Sequence, residues 1–170
     1  MIENNDTCDF EEMITIPQMN KGGKFIFGKS TLRDDGTIQI PTQAVEEYDI
    51  AIEKKAYLFT GSKVTGGFCV TRKGLLTPSR LGHILTENTG LQNYTSQAGE
   101  FIQYKGRYYC WVDISETGQI VLTNAMMDFL QIQPGMQLLS IRSSDIAFTM
   151  GARGPLLERA KNYAGEIPMF

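Results

Sequence analysis

Gly23, four residues, then Gly28, Lys29 and Ser30 have the spacing of a phosphate-binding loop. Such a loop wraps backbone N–H groups around phosphates and hands them to a helix N-terminus, with the lysine reaching the charge. The four intervening residues, Lys24, Phe25, Ile26 and Phe27, are a β-branched and aromatic run that favours an extended chain. Upstream, "IPQMNKG" is polar and broken by Pro17 where a buried strand is required. Downstream, Asp35-Gly36 marks a hairpin turn where a helix has to begin. The segment therefore reads as a strand rather than a nucleotide site.

The other residues able to do chemistry are scattered. His83 is the only histidine, and it lies beside Leu81 and Ile84 with no serine, cysteine or carboxylate at a catalytic spacing. Cys8, Cys69 and Cys110 are odd in number and lack C-x-x-C spacing, so neither a disulfide framework nor a zinc site is indicated. No catalytic residue, metal or cofactor is expected, and the chain does not read as an enzyme. "GSKVTGGF" (61–68) is a glycine-rich loop: either an anion contact through its N–H groups or a plain hairpin turn. Tyr109 and Trp111 share one face of a strand, as core or as a binding surface.

At 170 residues, 42% of them hydrophobic, the chain has enough apolar content to build a core. No apolar run approaches the roughly 20 residues of a membrane span. The acidic start "MIENNDTCDFEEM" lacks a signal-peptide layout, so a cytoplasmic location is expected, with no membrane partner. The net charge of −3 is unevenly spread. Residues 1–20 hold Glu3, Asp6, Asp9, Glu11 and Glu12 with no Lys or Arg, leaving 16 basic against 14 acidic residues in the remainder. That leader reads as a solvated tail or as a DNA-mimicking, autoinhibitory arm.

An internal repeat organises what has to position these residues. "DDGTIQIPTQAVEEYDI" (34–50) lies over "ETGQIVLTNAMMDFLQI" (116–132) at a constant offset of 82, which continues through Tyr57 over Leu139 and Phe59 over Ile141. Beyond a two-residue insertion in the first copy the offset becomes 80, so Phe68 matches Phe148 and Lys73 matches Arg153. Upstream, "GKFIF" (23–27) matches "GRYYC" (106–110) at 83. Each copy reads strand, D-G or T-G turn, short strand, short helix opened by Thr42 or Thr123 as N-cap, then a two-stranded hairpin. The divisions are an acidic leader 1–20, repeat one 21–76, a linker 77–103 with a helix around Leu81, Ile84 and Leu85, repeat two 104–152, and a helix and tail 153–170. The last helix starts at Gly154-Pro155, carries Leu156, Leu157 and Ala160 on one face, and ends near Gly165.

The repeated stretch, "DDGTIQIP" in one copy and "ETGQIVLT" in the other, followed by a short helix, a turn and a strand hairpin, resembles the AbrB/SpoVT-like swapped-hairpin family of bacterial transition-state regulators and antitoxins. The resemblance covers roughly two thirds of the chain. It implies a mainly β fold with short helices, in which two ββαββ repeats form a pseudo-twofold swapped-hairpin barrel, plus a C-terminal helix. The family usually has one copy per chain, so the tandem implies a monomeric pseudo-dimer, with a homodimer as the alternative. DNA-binding members place arginines in the first strand, directly after the turn glycine, and as a pair on the short helix, to neutralise phosphates and read base edges. This sequence has Ser30 and Val112, Thr37 and Gln119, and Val45-Glu46 and Met127-Asp128 there.

Two readings follow. A DNA-binding transcriptional regulator would use Lys24, Lys29, Arg33, Lys105 and Arg107 on double-stranded DNA. A swapped-hairpin module that does not bind DNA would engage a partner protein or small ligand through the C-terminal helix and the aromatic strands "FIF" and "RYYCW".

Overall fold

The computed structural model describes residues 25–163 and 165–170. Repeat one comprises β1 (Ile26–Thr31), β2 (Thr37–Gln39), α1 (Thr42–Tyr48), β3 (Lys55–Thr60) and β4 (Phe68–Thr71). Repeat two comprises β6 (Arg107–Asp113), β7 (Gln119–Val121), α5 (Asn124–Leu130), β8 (Gln137–Arg142) and β9 (Phe148–Gly151). Between them lie α2 (Lys73–Leu76), α3 (His83–Glu87), α4 (Thr89–Gln92) and β5 (Ile102–Tyr104), and α6 (Pro155–Lys161) follows. The architecture is mainly β: an antiparallel seven-stranded sheet in the order β1-β8-β9-β4-β3-β6-β5, with short helices and a separate β2–β7 ribbon.

Neither repeat pairs its first strand with its own hairpin. β1 runs beside β8, and β6 runs beside β3, so each first strand completes the other repeat's hairpin. Equivalent residues meet where the copies touch: Ile38 is paired with Ile120 in the ribbon, at the 82 offset, and Cys69 with Thr149 on β4–β9, at the 80 offset. The loop before β4 spans 61–67 and the loop before β9 spans 143–147, which is the two-residue insertion. The offset of 83 upstream has a physical origin as well. The register between β1 and β8 slips at Phe27, a β-bulge, so Ile26 opposes Ile141 while Gly28 opposes Ser140.

The two repeat turns close alike. Arg33 N–H donates to Thr37 O at 3.0 Å, and Ser115 N–H donates to Gln119 O at 3.0 Å. Each turn glycine also serves the opposite copy: Leu122 N–H donates to Gly36 O, and Ile40 N–H donates to Gly118 O. A Cβ on Gly36, which has φ +85°, would lie 2.2 Å from Leu122 O, so only glycine fits. The two repeat helices, α1 and α5, each end on a left-handed residue, Asp49 or Gln131. Thr123 caps α5 by accepting from Met126 N–H, but Thr42 does not cap α1. Pro41 takes the N-cap place and Thr42 starts the helix, because proline fixes the extended backbone just before the first turn.

Strand alternation sends side chains to two buried faces. Leu58, Cys110, Val112 and Leu138 join Phe27, Ile38, Ile120 and Phe148 in the main core. Their neighbours Tyr57, Phe59, Tyr109 and Trp111 face a second cluster with Leu76, Ile84, Leu85 and Leu91. Leu139 and Ile141 face a third with Ile26, Leu157 and Ala160. The linker is thus a folded cover rather than a polar tether. Its helix holds Ile84 and Leu85 inside, while Leu81 lies before α3 and is exposed.

The expected closed barrel is not present as a continuous ladder: among the described residues the large sheet ends at β1 and β5. β2 and β7 pair only with each other, which leaves β1 an open edge. The C-terminus covers part of that edge. Lys29 N–H donates to Pro168 O at 2.8 Å and Phe170 N–H donates to Lys29 O at 2.7 Å. Helix α6 ends at Lys161, short of Gly165.

Candidate functional site

The segment with phosphate-loop spacing is strand β1, and Ser30 is fully buried with its hydroxyl donating to Gln39 O. It forms no loop and feeds no helix, so it offers no cradle of N–H groups. Among the described residues no group of three metal-binding side chains assembles, and no helix is long and apolar enough to cross a membrane. His83 is an exposed residue opening α3 rather than part of the apolar cluster beside it. The 61–67 loop is a β3–β4 hairpin connection with Gly66 and Gly67 at positive φ.

The basic candidates do not converge on one strand face. Lys24 and the acidic leader lie outside the described residues. Lys29 is half-buried on the edge strand, under the C-terminal segment. Arg33 is exposed in the β1–β2 turn beside Asp34 and Asp35. Thr37 N–H donates to Asp35 Oδ1 at 2.9 Å, which holds that carboxyl below its ordinary pKa and keeps it charged. Lys105 and Arg107 flank Gly106 at the other end of the sheet. Lys105 and Gly106, both at positive φ, form the two-residue β5–β6 turn. Lys105 Nζ sits 5.3 Å from the Tyr104 ring centroid and the Arg107 guanidinium 5.5 Å from that of Phe59. From β1 to β6 is five strand intervals, roughly 24 Å along the ladder.

The positions at which the resemblance to the AbrB/SpoVT-like regulators calls for arginine bound the β2–β7 ribbon. With Ile38 and Ile120 buried beneath, its outer face shows Thr37, Gln39, Gln119 and Val121, and Val121 is 58% exposed. On the helices Glu46 and Asp128 are exposed, Val45 is half-buried and Met127 is buried. Asp113 at the end of β6 and Glu116 in the second turn are exposed too, Asp113 paired with Lys55. The surroundings are neutral to acidic, the wrong sign for a polyanion.

Beside the ribbon lies a groove of about 460 Å³ lined by Ala98, Gly99, Val112, Val121, Thr123 and Met126, with Asp113 and Gln119 also on its wall. Gly99 N–H donates to Trp111 O at 2.8 Å, fixing the linker as the groove's far bank. Two residues on, Phe101 stacks on Phe129 with centroids 4.6 Å apart, and Tyr108 meets Phe129 edge-on at 5.0 Å. Phe129 remains 44% exposed. Sequence reading missed Val121, Phe101 and Phe129. A Val among polar ribbon residues and a Phe next to the last residue of α5 were the available signals, but both also fit a core. Compared with known proteins, the chain matches no family model and no curated protein at a significant level.

Proposed function

We propose that this chain is a single-chain form of the AbrB/SpoVT-like swapped-hairpin module, a pseudo-twofold unit assembled from its own two repeats. We further propose that it acts by binding a partner protein rather than by reading DNA. Support for the first part is the pairing of each repeat's first strand with the other repeat's hairpin. The observation that carries the second is the ribbon: Thr37 and Gln119 stand where the resemblance calls for phosphate-binding arginines, Gln39 and exposed Val121 lie beside them, and exposed carboxylates border the patch. A partner segment that suits this site places an apolar side chain in the groove beside Val121 and Phe129, with Lys or Arg facing Asp113, Glu116 and Asp128.

The test begins with fluorescence anisotropy of a labelled mixed-sequence duplex at low and physiological salt. No binding at low salt is expected. Salt-dependent binding that drops when Lys29 and Arg33 are both replaced by Ala would overturn the reading in favour of a DNA-binding regulator. Short displayed peptides panned against the protein then address the positive half. Enrichment of apolar residues flanked by basic ones, with binding lost in Val121→Lys at an unchanged melting temperature, is the expected result. Selected peptides that bind Val121→Lys equally well would place the interface elsewhere.

A further inference from the structure

The two repeats cover their outer sheet faces unequally. On the first, Tyr57, Phe59, Tyr109 and Trp111 fill the space under the linker, with Tyr94 stacked on Tyr57 at 5.8 Å and edge-on to Trp111 at 5.5 Å. The repeat alignment places Leu139, Ile141 and Ile26 where Tyr57, Phe59 and Tyr109 stand, so aliphatic side chains replace aromatic rings. One short helix, α6, covers them in place of three. What remains open is a cleft of about 210 Å³ walled by Val64, Leu139, Ile141, Pro155, Leu156 and Leu157.

The rim cation is engaged differently as well. Lys73 and Arg153 are counterparts at the offset of 80. Lys73 is used internally: Nζ donates to Gln92 O and lies 4.3 Å from the Tyr94 ring centroid. Arg153, exposed on the cleft wall, donates from Nε and Nη2 to the neutral carbonyl of Lys63 at 3.2 and 2.8 Å. Among the described residues no carboxylate pairs with it.

We propose that this cleft is a binding site for a medium-chain aliphatic carboxylate, its alkyl chain between β8 and α6 and its carboxylate on the Arg153 guanidinium. An apolar cavity of about 150 Å³ holds one benzene ring, so this cleft takes roughly six to eight carbons. The site is independent of the ribbon face and of any partner there.

Isothermal titration of the full chain with the sodium salts of butanoate through decanoate, and with octanol, tests it. Affinity should rise roughly fourfold with each added methylene until the cleft is full, then level off. Octanoate should bind about tenfold more tightly than octanol, and Arg153→Gln should remove that preference while leaving octanol unchanged. Ile141→Phe, which installs the counterpart Phe59 side chain, should weaken both ligands. Arg153 is a surface residue, so its variant reads out even where Ile141→Phe fails to fold. No binding by the folded protein, equal binding of octanoate and octanol, or octanoate binding indifferent to Arg153→Gln would overturn the proposal.

Discussion

Cys69 and Thr149 face each other on the β4–β9 pair, Sγ 3.4 Å from Oγ1, and each is the other's counterpart in the repeat. Cys110 lies two strands away from Cys69, facing the main core. Burial raises the Cys69 thiol's pKa, partly offset by the Thr149 hydroxyl and the positive charge of Arg107, and drives that of Cys110 from 9.0 up to about 12. In a Cys8→Ser background, thiol reagent at pH 8 should therefore label neither cysteine quickly in the native protein and both after denaturation. Rapid labelling of the native form would contradict the burial of Cys110 and the partial cover of Cys69.

The same shifts set an alkaline limit. A thiol or phenol whose folded pKa is raised favours folding fully below its unfolded pKa, and that contribution is lost as pH rises toward the folded value. Burial lifts Cys110 from 9.0 to about 12 and Tyr48 from 10.0 to about 12, the latter helped by Asp145, and it raises Tyr57 too. Urea titrations from pH 8 to 11 should show stability falling from about pH 9, by a few kcal/mol at most. Cys110→Ala should flatten the onset of that fall.

Turn glycines should rank by what a Cβ meets. Gly36→Ala forces a carbon to 2.2 Å from Leu122 O, and Gly118→Ala to 2.5 Å from Val45 Cγ2, whereas Gly106 has nothing within 4 Å. All three have positive φ, which alone costs about 1 kcal/mol. Unfolding free energies from denaturant titration should fall most for Gly36→Ala, by roughly 3 kcal/mol or more, less for Gly118→Ala, whose neighbour is a side chain, and least for Gly106→Ala. Equal losses would mean the ribbon contact with Leu122 relaxes freely.

Strand exchange predicts the behaviour of fragments. β1 has its ladder partner in β8 and β6 has its in β3, so residues 1–76 and 77–170 each lack one side of their sheet. Separately, each should give a disordered circular dichroism spectrum; mixed, they should recover the signal of the whole chain. The intact protein should melt at a temperature independent of its concentration. A melting temperature that climbs with concentration would indicate an obligate dimer.

Removing Pro168–Phe170 should expose the β1 edge. Phe170 N–H and Pro168 O both bond Lys29, and Thr31 N–H donates to Phe170 O at 3.1 Å. An unpaired edge templates further strands, so the truncated protein should self-associate in light scattering while its secondary structure persists. A truncated protein that remains monodisperse would show that Lys29 and Thr31 guard the edge unaided.

The repeat, the turns and both ββαββ orders were legible because glycine after Asp or Thr, followed by Ile-x-Ile in one copy and Ile-x-Leu in the other, leaves a local signature in both. Strand exchange was not legible locally, since β1 reads the same beside either hairpin. The linker misled because its apolar residues, Ile84, Leu85 and Leu91, are spread among turn formers. They become a core only when Tyr57 and Trp111 meet them, with Tyr57 Oη donating to Leu91 O and Trp111 Nε1 donating to Ser96 O. Thr42 misled because Pro41 before it already fixes the extended backbone that a cap residue needs. Of the basic residues, sequence gave type and order, but their separation across the sheet depends on which strands become neighbours.

Two copies joined in one polypeptide can drift apart in a way that two identical subunits cannot. A substitution in a symmetric pair of chains is written twice, so Trp111 on one face would demand Trp on the other; here that position is matched by Lys29 under a different cover. One outer face has become a sealed aromatic layer and the other an aliphatic hollow with an arginine at its lip. The molecule has a front and a back, and its two ends are free to serve different purposes.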